Sequence, residues 1–135
     1  MNNQKNIVLC GVGGQGTVLA SKLLAAAAMS KDIPVMSAET IGMAQRGGSV
    51  FSHLRMGDNL YSPMIETGTA DLLIGFEPGE TVRMLPYLKD HGHIVVSTRA
   101  VKPVTATLSG SDYDAPQMLE YLKAAVPNLT LVNAD

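Results

Sequence analysis

A short apolar run, Ile7-Val8-Leu9-Cys10, leads directly into Gly11-Val12-Gly13-Gly14-Gln15-Gly16 and then into Thr17-Val18-Leu19-Ala20-Ser21-Lys22-Leu23-Leu24. A buried strand, a tight glycine turn and an Ala/Leu-rich helix in immediate succession form the opening unit of a nucleotide-binding α/β domain. Gly11, Gly13 and Gly16 match G-x-G-x-x-G, in which the glycines permit the turn, close approach of a diphosphate and close helix–strand packing. The start of the helix offers unpaired N–H groups and the positive end of the helix dipole to an anion. The same glycines also suit a turn that only packs a helix tightly on a strand. The motif alone leaves both readings open.

At 135 residues the chain is expected to form one domain, 1–135, large enough to bury roughly two thirds of its unfolded surface. Charged residues make up only 16%, so much of the chain must be interior or be covered by a partner. With no Trp and two Phe, the core is expected to rely on Ala, Val and the eight Met. A net charge of −2 without a basic run argues against nucleic acid. The single Cys10 excludes an internal disulfide and cannot alone ligate an iron–sulfur cluster; it reads as a small buried residue ending the first strand. No signal peptide precedes that strand and no apolar run approaches ~18 residues, so a cytoplasmic protein without a membrane span is expected.

Patterning predicts strands over 5–10, 34–38, 49–56, 70–76, 93–98, 104–108 and 129–133, and helices over 15–30, 78–89 and 115–125. In the first helix Leu19, Leu23 and Ala27 fall on one stripe, with Val18, Ala25 and Met29 alongside. Lys22 is its only charge before Lys31, so little of this helix is expected to face water, with the sheet covering one side and a partner or neighbouring segment another. In the second helix the stripe is Val82, Leu85 and Leu88, and in the third it is Met118, Leu119 and Leu122. Alternation over 49–56 sets Phe51, His53 and Arg55 on one face, and Val50, Ser52, Leu54 and Met56 on the other. Gly57-Asp58-Asn59 reads as a turn returning a short extended piece, 60–62. Such a hairpin would break the β-α-β rhythm, so the expected fold is α/β, a three-layer α/β/α arrangement with a mostly parallel, partly mixed sheet and a Rossmann-like start.

Among the polar candidates, Glu39 follows Gly16 at the distance where a dinucleotide site places its ribose-binding acid. A loop carboxylate paired with a local donor, such as Arg46, is the other reading, favoured by a following loop unlike a plain Rossmann turn. Gln45-Arg46-Gly47-Gly48 sets a guanidinium beside permissive backbone N–H groups, an arrangement suited to phosphate or carboxylate; an Arg tying down its own loop is the structural alternative. His53 and Arg55 could extend such an anion site, or line a wet or interface face. His91 and His93 read as solvated loop residues, because two histidines without a further ligand make a poor metal site. No catalytic triad, no P-loop and no paired-carboxylate pattern is present.

Taken together, Gly11-Val12-Gly13-Gly14-Gln15-Gly16, Leu19-Ala20-Ser21, Glu39-Thr40, Gly42-Met43-Ala44-Gln45-Arg46-Gly47-Gly48-Ser49-Val50 and Ser52-His53 with Arg55 resemble the small subunit of the 2-oxoacid:ferredoxin oxidoreductases. Ser62-Pro63-Met64-Ile65, Gly68, Ala70-Asp71 and Phe76-Glu77 extend the resemblance through nearly the whole chain. The chain is most similar to the beta subunit of the indolepyruvate branch, and similar to the gamma domain of the pyruvate enzymes. Ile41 departs from that branch, which carries a histidine there. Family members continue past the last strand, so a domain shortened at its C-terminus is expected.

The resemblance implies an accessory subunit. The 2-oxoacid, an aryl pyruvate such as indolepyruvate, is decarboxylated on thiamine diphosphate, coenzyme A takes the acyl group, and electrons pass through 4Fe-4S clusters to ferredoxin. Thiamine diphosphate and clusters then belong to a larger partner subunit, and no catalytic residue or metal ligand is expected in this chain. The phosphates of coenzyme A would suit Gly11, Gly13, Gly14, Gln15, Gly16, Glu39, Arg46, Gly47 and Gly48, with Arg55 as a weaker anion contact. Two other readings fit parts of the sequence: a freestanding NAD(P)-binding domain, and an interaction module whose glycine loops touch only protein.

Overall fold

The computed structural model describes residues 4–13, 16–41, 49–99 and 115–133. Six strands form one sheet: β1 (Lys5–Val12), β2 (Val35–Ile41), β3 (Ser49–Met56), β4 (Ala70–Gly75), β5 (Leu88–Ser97) and β6 (Leu129–Val132), in the spatial order β2-β3-β1-β4-β5-β6. β1, β4, β5 and β6 run parallel, while β3 is antiparallel to both β1 and β2. β2 therefore runs with β1 but is separated from it by β3. The expected mixed sheet is present, and β3 is the strand that makes it mixed. The short extended piece expected to return at 60–62 is not a strand of the sheet; β3 finds both its partners in β1 and β2 instead. The short strand expected at 104–108 lies outside the described residues.

Helix α1 (Thr17–Ser30) packs on the β1–β3–β2 side of one face, and α2 (Pro78–Met84) and α3 (Ala115–Ala125) cover the other. On the α1 face Ile7, Leu9 and Leu54 form the core with Leu24, Leu72 and Ile74 against them. On the opposite face the core is Val8, Cys10, Leu73, Ile94, Val96, Leu122 and Val126. β1 alternates between these two cores and is buried from Ile7 to Val12, as its unbroken apolar run requires. In α3, Leu122 is fully buried and Leu119 packs beside it, as the spacing predicts.

Two helices depart from the sequence reading. In α1 the buried residues are Thr17, Ser21 and Ala28, spaced i, i+4 and i+11 along one side. Leu19, Leu23 and Met29 point outward at 61%, 62% and 64% exposure. Small side chains let the helix axis approach the sheet closely, and Leu24, Ala20 and Ala25 at the flanks supply the apolar contact. The more hydrophobic stripe is thus the outer one. In the second helix the α-turns stop at Met84, and a 3-10 turn, Leu85–Tyr87, follows. Pro86 has no N–H to donate to an α-helical bond, and the chain turns extended at Leu88, so β5 begins well before His93. His91 and His93 accordingly lie within β5, both exposed, rather than in a turn.

Candidate functional site

The helices change sides of the sheet between β1 and β4. In an open α/β sheet, ligands bind outside the carboxyl ends of the strands at such a switch point. Here the switch point lies between the end of β1 and the Phe76-Glu77 turn after β4, which are tied by a 2.8 Å bond from the Phe76 N–H to the Cys10 carbonyl. Because β3 is antiparallel, its first residue, Ser49, sits beside Val12 at the same end.

On the α1 side, Gly16 caps the helix with φ 91°, in the left-handed region, and an added Cβ there would meet no atom within 4 Å. Backbone conformation therefore selects glycine at this position. Thr17 follows as the first helical residue; its Oγ1 is buried and has no hydrogen-bond partner among the described residues. A buried hydroxyl without a partner is energetically unfavourable, and an incoming acceptor at the helix start would satisfy it. Thr17 was not singled out from the sequence, although its place directly after the glycine motif was the available signal.

On the α2 side, the backbone N–H of Glu80 donates to Glu77 Oε1 at 2.9 Å, capping the helix, and Pro78 occupies its first turn. Glu80 is buried; its Oε1 accepts from Ser49 Oγ at 2.9 Å, and Arg83 reaches Ser49 Oγ at 2.9 Å and Glu80 at 3.5 Å. Arg83, largely exposed, is thus a cation at this end of the sheet that the sequence reading did not weigh. Cys10 is walled in beneath the same turn. Burial pushes its thiol up to about 12, with Glu80 and Glu77 adding to the effect and a hydrogen bond with Thr81 opposing it. Cys10 is buried and is the only cysteine in the chain, so it cannot by itself ligate an iron–sulfur cluster. Among the described residues no three His, Cys, Asp or Glu side chains group around a metal position.

The expected anion residues do not all converge here. Gly13 and Gly16 stand in the turn, whereas Gly11 is buried within β1, paired with Val50 on β3. Gly14, Gln15, Arg46, Gly47 and Gly48 lie outside the described residues. Glu39 is exposed on edge strand β2, opposite Ser52, which in turn faces Leu9. Two ladder spacings, about 10 Å, therefore separate it from β1, because β3 occupies the place beside β1 that a plain dinucleotide fold gives to β2. Arg55 stands at the other end of the sheet. It pairs with Asn6, five residues before Gly11 on β1 and so about 17 Å away, and donates to Asn6 Oδ1, the Ser62 carbonyl and Gln4 Oε1. An anion site shared by Arg55 and the glycine turn is excluded by this register.

The family model for pyruvate ferredoxin/flavodoxin oxidoreductase matches residues 6–134. The chain belongs to that family. Within the oxidoreductase family it is 40% identical over 131 residues to indolepyruvate oxidoreductase subunit IorB of Archaeoglobus fulgidus, covering 96% of this chain and 65% of that relative. It is 42% identical over 108 residues to the subunit of the same name from Methanothermobacter thermautotrophicus, covering 80% and 55%. The chain thus spans somewhat under two thirds of the curated relatives it matches. Its fold is that of the crystal structure of pyruvate oxidoreductase subunit PORC from Thermotoga maritima (TM-score 0.64, 20% identity, 97% of this chain and 62% of that one). The six-stranded mixed sheet is therefore the family architecture, with β3 as part of it.

His53 has a structural task in this oxidoreductase domain. It is buried on β3, and its Nδ1 accepts the Ile65 N–H at 2.9 Å, between the rings of Phe51 and Tyr87. It neither faces the glycine turn nor joins an anion site. Burial lowers its pKa from 6.5, so the neutral ring is favoured. Its contribution to stability is complete above about pH 6.5 and is lost as the pH falls through the lower folded value. His53→Phe keeps a ring but leaves the Ile65 N–H without its acceptor. It should destabilise the chain by about 1–3 kcal/mol at neutral pH. Urea titrations at several pH values should show the gap between wild type and variant narrowing as the pH drops; a constant gap would mean the imidazole does not titrate with unfolding.

Proposed function

We propose that this chain is the small, accessory subunit of a 2-oxoacid:ferredoxin oxidoreductase acting on indolepyruvate or a related aryl pyruvate, and that its switch point between β1 and β4 holds the diphosphate of coenzyme A. The subunit assignment rests on the 40% identity to relatives named as indolepyruvate oxidoreductase subunits. The coenzyme A assignment rests on one observation, the buried Thr17 hydroxyl, without a partner among the described residues, beside the left-handed Gly16 at the start of α1. Coenzyme A would supply the thiol that accepts the acyl group. This chain's part is to hold its phosphates through Thr17 Oγ1, the glycine-turn N–H groups and Arg46. Decarboxylation and electron transfer to ferredoxin belong to the larger thiamine diphosphate and iron–sulfur subunit; Cys10, the single cysteine and a buried one, cannot by itself ligate a cluster. No helix among the described residues is long and apolar enough to cross a membrane; a cytoplasmic location is part of this proposal.

A tagged chain should draw down a large subunit with brown iron–sulfur absorbance from its native source; a colourless chain eluting alone would remove the subunit reading. In the assembled enzyme, Arg46→Ala and Thr17→Val should each raise KM for coenzyme A by about tenfold or more, the loss of a hydrogen bond to a charged group, with kcat little changed. An unaltered KM in both variants would leave the switch point without this ligand. The position of Glu39 across β3 weighs against a freestanding NAD(P) domain of the plain type.

A further inference from the structure

The end of the sheet opposite the glycine turn carries an unusually well-anchored loop, 57–69. The Gly57 N–H bonds the Pro34 carbonyl at 2.9 Å, and Gln4 Nε2 holds the carbonyls of Asp58 and Asn59 at 2.8 and 3.0 Å. In the middle, Arg55 Nη1 grips the Ser62 carbonyl at 2.9 Å, His53 takes the Ile65 N–H, and the Ile65 side chain is buried. At the far end the Gly68 N–H bonds the Pro86 carbonyl, and Thr69 closes on the Glu66 carbonyl through both its N–H and its hydroxyl. Two polar side chains of β3, His53 and Arg55, thus hold one short segment. What that segment presents outward is Tyr61, 89% exposed, and Met64, 50% exposed, with Pro63 between them.

Such rigidity does nothing for the exposed side chains within this chain. It does remove the ordering penalty that a flexible loop would carry on association. Tyr and Met are enriched at the centres of protein interfaces. The only charges in the loop are the acids Asp58 and Glu66, both exposed. A second copy docking by the same patch would set these acids against each other, whereas an apolar socket rimmed by Lys or Arg would complement them. We propose that Tyr61, Pro63 and Met64 form the knob by which this chain docks into a basic-rimmed apolar socket on the larger subunit of its enzyme. This rests on the subunit reading above and names the surface it uses. The outer stripe of α1, Leu19 and Leu23 beside the exposed Lys22, is the competing surface; it is held as firmly on the sheet but offers one cation where the loop offers two acids.

The test measures dissociation of the purified complex between this chain and the larger subunit from the same source. Tyr61→Ala/Met64→Ala should weaken the complex about tenfold or more without lowering the melting temperature of the small subunit. His53→Phe, which frees Ile65, should weaken it less and should raise hydrogen exchange at 60–66. Unchanged affinity in the double variant overturns the docking knob while leaving the subunit reading intact. Loss of the complex in Leu19→Gln/Leu23→Gln, with the loop variant unaffected, overturns it in favour of α1. A wild-type chain that binds no larger subunit removes both readings together.

Discussion

Gly75→Ala should destabilise the domain by about 1–3 kcal/mol or more and make Cys10 reactive. Gly75 ends β4 where α2 crosses it, and a Cβ built there would lie 1.7 Å from Thr81 Oγ1 and 2.8 Å from Thr81 Cβ. Neither atom can retreat easily. Thr81 is fully buried and its hydroxyl donates to the Glu77 carbonyl at 2.7 Å, within the first turn of α2. The added methyl must lift the helix from the sheet, and with it the capping of Glu77 on Glu80 and the cover over Cys10. Denaturant unfolding measures the first effect, and thiol labelling of native protein the second, since the wild-type thiol is both buried and held near pKa 12. A variant of wild-type stability whose thiol stays unlabelled would show that α2 is not seated on Gly75.

Leu54→Ala should cost about 2–5 kcal/mol, the larger of the two effects. Leu54 is fully buried, lies opposite Ile7 on β1 and Ser37 on β2, and packs with Ile7 and Leu9 under α1. Truncation leaves a cavity that α1, bridging three strands, can close only by tilting. Had β3 been one arm of a hairpin at the sheet margin, the same substitution would cost little. The outward Leu19→Ala is the control, expected within about 0.5 kcal/mol of wild type as a surface change. A small loss for Leu54 together with a large one for Leu19 would mean that β3 is not interior and that the stripes of α1 are reversed.

The sequence alone carried a good deal of this protein. A strand with no polar interruption, four glycines and a helix form a local unit whose geometry is set within some twenty-five residues, so its reading as strand, turn and helix held. The same is true of the alternation over 49–56, which correctly separates Phe51 and His53 from Leu54 and Met56, and of the inward Leu119 and Leu122 of α3. The resemblance carried by the glycine turn and Gln45-Arg46-Gly47-Gly48 pointed to the family later established by the match over 6–134.

What the sequence could not decide was which surfaces meet. Hydrophobicity ranks Leu19 and Leu23 above Ser21 and Ala28, yet close approach of a helix to a sheet favours small side chains, so α1 turned Leu19 and Leu23 outward. Strand pairing is likewise non-local. Insertion of β3 between β1 and β2 carried Glu39 about 10 Å from β1, and the antiparallel register sent Arg55 to the end of the sheet opposite Gly11. Period-two alternation tells which face a side chain occupies but not which end of the sheet it reaches. His53 and Arg55 were legible as polar residues on one strand face; only the packed structure shows that they hold the backbone at Ser62 and Ile65 in place.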